Sequence, residues 1–360
     1  MHRLALARAL VAEGVDLHVA IPFDSGDSRF SSTAFELHRL SLRRGSKNPL
    51  QEAKTLFELA AVSRRVRPAL VHHVTIKPVL YGSVVARACG TPAIVNSITG
   101  LGYVFSSSNA DAKLLKSLML PVMRYGCDRR NVTMLFENND DLELYCSLRI
   151  ADQSHSHVIP SSGIDPAAFA PHQHKAGAVT VMLLSRMLWD KGVKEFVDAA
   201  RRVKNARPLT RFVLVGATDP NPESIPGDTL RQWNEEGIVE YWGWRSDVPA
   251  TLQSADILCL PSYREGLPRS LLEGAAAGLA LVTTDVPGCR DVVRANLTGL
   301  IVSARNAEAL ARAMLELVDN VEKRGALGSA ARADVIARFS VESVIDQTCA
   351  AYGETLNRAL

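Results

Sequence analysis

The sequence predicts an α/β protein with two doubly wound, parallel-sheet halves. Three observations predict it. Short apolar strand-like runs alternate with helix-length segments along most of the 360 residues. The series restarts once, after a stretch rich in Pro, Gly, Ser and His between Pro160 and Gly177 that reads as a linker. A loop punctuated by Gly and Pro, Arg264 to Pro268, joins a buried apolar run to an apolar helix. In open α/β sheets, ligands bind where a strand gives way to a helix in this manner.

Taken in order, residues 4–12 are rich in helix formers, and Gly14 can end that helix. Val15 to Ile21 alternates like a strand. Further strand-like runs are 69–73, 93–96, 132–136 and 156–159, with helices at about 49–66 and 79–89. The second series runs 179–184, 211–216, 238–242, 257–260 and 280–284. The boundaries expected are 1–165 and 166–340. Two such halves would face each other across a cleft, where ligand sites often form. The opening is unusual, because a doubly wound half should begin with a central strand and this one begins with a helix. The expectation is a start further upstream or a fragment, the alternative being a sheet rearranged to do without that strand.

Composition removes several classes. Apolar residues make up 47% and charged residues 22%, as in ordinary globular proteins. A formal net charge of +3 is too small to argue for nucleic acid, and the basic residues show no interleaving with aromatics. No apolar run approaches the roughly 18–20 residues that span a bilayer. Arg3 and Arg8 interrupt the first helix and argue against a leader peptide. The six cysteines lack metal-ligand spacing and read as reduced residues of a cytoplasmic protein.

The chemistry concentrates in the second half. Glu265 lies in the strand-to-helix loop and Glu273 inside the apolar run, eight residues on. Treated as helical, they share a face about 12 Å apart, from a rise of about 1.5 Å per residue. Two acceptors so spaced suit a ligand with hydroxyls at both ends, such as a sugar nucleotide. Arg186 and Lys191 span another strand-to-helix loop, where both can converge on one diphosphate beside a helix N-terminus.

These motifs, Ser185-Arg186 to Lys191-Gly192, Glu265-Gly266, Glu273, Thr284 to Gly288 and Asn296 to Leu300, resemble in order those of the retaining GT4 glycosyltransferases. His72 to Gly82 and Asn96 to Gly102 are similar to the branch acting on lipid-diphosphate-linked sugars. The resemblance implies a GT-B fold, with a last helix, about 341–360, crossing back onto the first domain. It implies that Arg186 and Lys191 stabilise the leaving nucleotide, without a metal or other cofactor. Glu265 would hold the donor sugar and Glu273 the ribose, with Gly266, Leu267 and Pro268 lining the sugar pocket. The donor would be a UDP-sugar and the acceptor a polyprenyl-diphosphate-linked glycan, in polysaccharide or glycan assembly.

In the first half, His72 and His73 end a strand and so stand either at the ligand or as satisfied structural histidines. Lys77 could hold the acceptor's diphosphate or be a lone surface lysine. Gly100 and Gly102 allow close backbone approach, and His2 is a remnant of a loop. Lys113 to Tyr125 is apolar and basic at once. It reads either as a helix resting on an anionic membrane, at the inner face of the cell membrane, or as a core-facing helix with a basic rim. Basic residues at 37–44 and 63–67 add charge to the same half. Two rivals stand beside transfer: a nucleotide-sugar epimerase, and a truncated binding protein without activity.

Overall fold

The computed structural model describes residues 3–23, 35–42, 48–101, 105, 110–127, 129–160, 163–172, 177–219 and 223–359. The chain divides into two compact units, Met1–Ser162 with Val341–Leu360, and Gly163–Ser340. The linker residues 161–162 and 173–176 fall outside the described residues, as do His2 and Gly102.

The first unit opens with the helix Leu4–Ala12, which closes at Gly14 through hydrogen bonds from Gly14 N to Val11 O and Val15 N to Leu10 O. Strands β1 (His18–Ile21) and β2 (Glu36–Arg39) form a parallel pair. Strands β3 (Leu70–Val74), β4 (Ala93–Ile98), β5 (Val132–Phe136) and β6 (Ser156–Val158) form a separate parallel sheet in chain order. Every residue of β4 and β5 is buried, because helices cover both faces of a parallel sheet. The last helix, Val341–Ala359, supplies part of that cover. Its Val344 and Ala351 pack with Val95, Leu135 and Ile159, and Thr355 Oγ1 meets Thr133 Oγ1 at 2.6 Å.

Strand β2 was hidden in the sequence by its composition. Glu-Leu-His-Arg reads as part of a basic run, and only His38 of the four is buried. The helix Ala110–Cys127 has a core-facing side and an exposed apolar side. Met123 is buried and Met119 and Leu120 pack on the core, while Leu114, Leu118, Val122 and Tyr125 are exposed beside Lys113 and Arg124.

Among its described residues the second unit holds six parallel strands: β7 (Thr180–Leu184), β8 (Arg211–Val215), β9 (Glu240–Gly243), β10 (Ile257–Leu260), β11 (Ala280–Thr284) and β12 (Gly299–Val302). Their order is β12-β11-β10-β7-β8-β9. Successive side chains go to opposite cores. Val181, Leu183, Phe212 and Leu214 enter one; Met182, Val213, Val215, Leu258 and Leu260 enter the other. The order reverses direction between β7 and β10. The loops leaving those two strands lie at the sheet's C-terminal edge, where open α/β sheets bind ligands in a crevice.

Candidate active site

Three loops meet at this reversal point. The first follows β7, runs from Ser185 to Gly192 and feeds the helix Val193–Ala206. The second follows β10 and feeds the helix Arg269–Ala276, and the third follows β11 and ends at Gly288. Backbone bonds hold them together. The Asp190 carbonyl accepts from Tyr263 N at 2.8 Å and from Ser262 Oγ at 3.1 Å, and Glu265 N donates to Pro287 O at 3.2 Å. Two glycines make the approach possible. Gly192, at φ 69°, lies so near that a Cβ would stand 2.0 Å from the Pro261 carbonyl oxygen. A Cβ on Gly288, at φ 81°, would stand 2.5 Å from the Gly266 carbonyl oxygen. Any side chain at either position forces the loops apart.

The arrangement brings Lys191 and Glu265 together across the crevice. Lys191 Nζ donates to Glu265 Oε1 at 2.7 Å, and the two side chains are 13% and 14% exposed. Residues 74 apart in sequence thus form a largely buried ion pair. Arg186 stands on the same first loop, more exposed, donating to Asp219 Oδ2 at 2.8 Å from the loop after β8. Glu273 is buried on the helix that leaves β10 and accepts from Arg269 Nε at 2.7 Å. Burial pushes its carboxyl above the ordinary range, and Arg269 draws it partly back.

The spacing expected between Glu265 and Glu273 requires correction. The helix begins at Arg269, after Pro268, so residues 265–268 are loop and the helical rise does not apply to them. Proline before the first turn and a glycine-proline loop set this boundary. Gly266, Leu267 and Pro268 form the loop segment between the two carboxylates.

The candidates in the first unit are placed differently. His72 and His73 are neighbours on β3 and face opposite sides of the sheet. His72 lies between Tyr352 OH, 2.6 Å from Nδ1, and Ser97 Oγ, 2.7 Å from Nε2. Burial lowers its pKa, with Arg3 and His73 adding to the effect. His73 Nδ1 meets Asn96 Oδ1 at 2.8 Å, and its ring lies flat against Gly82, where a Cβ would be 2.2 Å away. Burial pushes its pKa down to about 4. His73 is therefore a packing residue between β3 and the helix Ile76–Ala88. Lys77 is no lone surface lysine: its Nζ donates to Glu52 Oε1 at 2.8 Å, and Tyr81 OH donates to Glu52 Oε2 at 2.7 Å. Gly100 follows β4 at φ 103°.

A closely packed polar cluster at the C-terminal ends of β4 and β5 gave no signal in the sequence. Arg3, Ser97, Thr99, Glu137 and Thr348 belong to it. Arg3 donates to Ser97 Oγ at 3.1 Å, while its buried Nε has no hydrogen-bond partner. Nothing in the local sequence marks Arg3, because its neighbours arrive from β4, β5 and the last helix. Asp219 was missed for a similar reason; its only cue is the glycine at 216 that ends β8.

Two parallel-sheet α/β units, the second with cations and carboxylates on the loops at its sheet reversal point, are the architecture of a GT-B glycosyltransferase, and comparison with known proteins agrees. Residues 178–320 match the family described as glycosyl transferases group 1, and residues 1–138 match the glycosyl transferase 4-like family. The two matches together take in more than half of the chain, which belongs to these glycosyltransferases. It is 27% identical over 347 residues to the N,N'-diacetylbacillosaminyl-diphospho-undecaprenol alpha-1,3-N-acetylgalactosaminyltransferase of Campylobacter jejuni, covering 93% of this chain and 90% of that one. It is 23% identical to the UDP-Gal:alpha-D-GlcNAc-diphosphoundecaprenol alpha-1,3-galactosyltransferase of Escherichia coli, over 75% and 72% of the two chains. Among solved structures, Anabaena Alr3699/HepE in complex with UDP-glucose shares the fold, with a TM-score of 0.75 at 16% identity and coverage of 98% and 95%.

Proposed function

We propose that this glycosyltransferase moves a hexose or N-acetylhexosamine from a UDP-sugar to a polyprenyl-diphosphate-linked sugar, with retention at the transferred carbon, during glycan assembly. The observation that carries the donor half of this reading is the Lys191–Glu265 pair at the reversal point of the second unit's sheet. In the free chain each ion answers the other. A nucleotide diphosphate brings about two negative charges and competes for Lys191. Arg186 adds a second cation from the same loop, and the uncapped N-terminus of the helix Arg269–Ala276 offers backbone N–H groups nearby. Charge that builds on the leaving diphosphate is met there. Glu265, released from Lys191, can accept from donor hydroxyls and favour positive charge at an oxocarbenium-like centre. Glu273 suits the ribose hydroxyls.

The acceptor half rests on two relatives whose names carry a diphospho-undecaprenol-linked sugar. Within the first unit, Arg3, whose buried Nε has no hydrogen-bond partner, could meet an anionic group only after the side chains around it, Glu137 among them, move apart. Lys77 and His73, engaged inside the unit, are less suited. The exposed apolar stripe Leu114, Leu118, Val122 and Tyr125, with Lys113 and Arg124 beside it, fits shallow contact with an anionic membrane that would carry such a lipid. No helix among the described residues is long and apolar enough to cross a membrane.

The test is incubation with a panel of UDP-sugars and polyprenyl-diphosphate-sugars, with products read by mass spectrometry. A mass increase of one sugar on one acceptor is expected. Glu265→Ala should lower that transfer by about 100-fold or more, in the range for removing an electrostatic partner of a transition state, while circular dichroism stays unchanged. Epimerised UDP-sugar formed without any acceptor, or near-normal transfer by the variant, contradicts the reading.

A further inference from the structure

We infer that His18, Glu36 and His38 form a binding site for a divalent transition-metal ion, zinc foremost, which clamps β1 to β2 in the first unit. The three residues share one face of the parallel pair. His18 and Glu36 are register partners, and Glu36 and His38 stand two apart on β2. His18 Nδ1 is 2.9 Å from His38 Nε2 and 3.5 Å from a Glu36 oxygen, and His38 Nε2 is 3.6 Å from the other Glu36 oxygen. Ligand atoms at about 2.0–2.1 Å around a tetrahedral zinc lie about 3.3 Å from one another, and one ligand atom from each of the three residues lies within 4.8 Å of the other two, so side-chain adjustments alone bring them onto one ion. Two imidazoles and one carboxylate suit zinc, copper or nickel, whereas magnesium and calcium take oxygen. The His38 side chain is 4% exposed and Glu36 57%, so the site is walled on one side and open to an entering ion on the other.

The surroundings supply both support and a competitor. Asp16 Oδ1 lies 3.5 Å from His18 Nε2, the ring nitrogen facing away from the proposed ion. A carboxylate behind a ligating histidine fixes the tautomer that leaves Nδ1 free to bind metal. Arg65 competes. Its guanidinium donates to His38 Nδ1 at 2.6 Å and lies 3.3 Å from Glu36, so Nε2 of His38 carries the proton and donates it to His18 Nδ1. Binding moves that proton to Nδ1 and turns the exposed Arg65 outward. The site is thus filled by hydrogen bonds without metal and by three coordinate bonds with it. The gain falls on an element that needs it, since a two-stranded pair is weak by itself.

The experiment is titration of the tag-free full chain with Zn²⁺ by calorimetry, with Co²⁺ absorption as a second readout, in buffer with a non-thiol reductant. One ion per chain with submicromolar affinity is expected. Cobalt should give visible d–d bands without the thiolate charge-transfer band that the six cysteines would give. His18→Ala and His38→Ala should each weaken binding at least tenfold, and Arg65→Ala should tighten it several-fold. Should a histidine variant fail to fold, Glu36→Gln and Arg65→Ala, both changes at exposed side chains, still decide. Absence of binding at 100-fold excess over about micromolar protein overturns the proposal, as does binding that these substitutions leave within twofold, or a cobalt spectrum of thiolate type.

Discussion

At the residue scale, Glu273 carries two demands that oppose each other. It is buried beside apolar Leu271, Leu272 and Ala275, and its folded-state pKa is raised by that burial. A raised carboxyl contributes stability while protonated, fully so below the unfolded value, and loses it as pH rises through the folded value. At neutral pH the ionised group therefore costs stability, and a ligand offering hydroxyls recovers it. Glu273→Gln should melt higher than the parent at pH 7.5, with the gap closing as the solution is acidified toward the ordinary carboxylate range. The same variant should bind UDP about tenfold more weakly, as expected for losing hydrogen bonds to a charged group of about 1.5–3 kcal/mol. Melting curves against pH, paired with UDP titration, check both signs. Glu273 and Glu265 were legible in the sequence because a strand end, a proline and an apolar run bracket them. The Lys191–Glu265 contact was not, because only the order of β7 and β10 in the sheet brings those loops together. Arg3 gave no signal and Asp219 only the glycine at 216, since their partners are distant in the chain.

At the element scale, the periodicity of apolar runs located ten of the twelve strands found among the described residues. It overlooked β2, whose residues are mostly polar, and β12, a short run that followed a turn. Both lie where one face or one edge is not buried, so the burial pattern that marks a strand is weak there. The last helix shows what a single element can hold. It covers β4 and β5 through Val344 and Ala351, caps Thr133 with Thr355, and reaches His72 with Tyr352. Ending the chain after Ser340 should expose that face of the first unit. Limited proteolysis should then cut within residues 1–162 at least tenfold faster while the 163–340 unit resists as before. Equal rates for both units in the shortened and full chains would show that the helix contributes no cover.

At the scale of the whole molecule, the two units differ in what they present. The second carries cations and carboxylates at its sheet reversal point, and the first carries a buried polar cluster around Arg3 and an exposed apolar helix stripe. Fold class was readable from alternation alone, because parallel sheets need both helices and apolar strands in a fixed order. Donor identity was not, since hexoses differ only in the orientation of single hydroxyls, and the positions of loop atoms such as those around Glu265 depend on packing against Gly288 rather than on local sequence. The central claim is that the Lys191–Glu265 pair opens to receive a nucleotide diphosphate. A crystal structure with UDP bound tests it most directly. The account predicts the diphosphate within hydrogen-bond distance of Lys191 Nζ and Arg186, the ribose at Glu273, and Glu265 parted from Lys191; UDP seated elsewhere on the chain, with that pair intact, would contradict it.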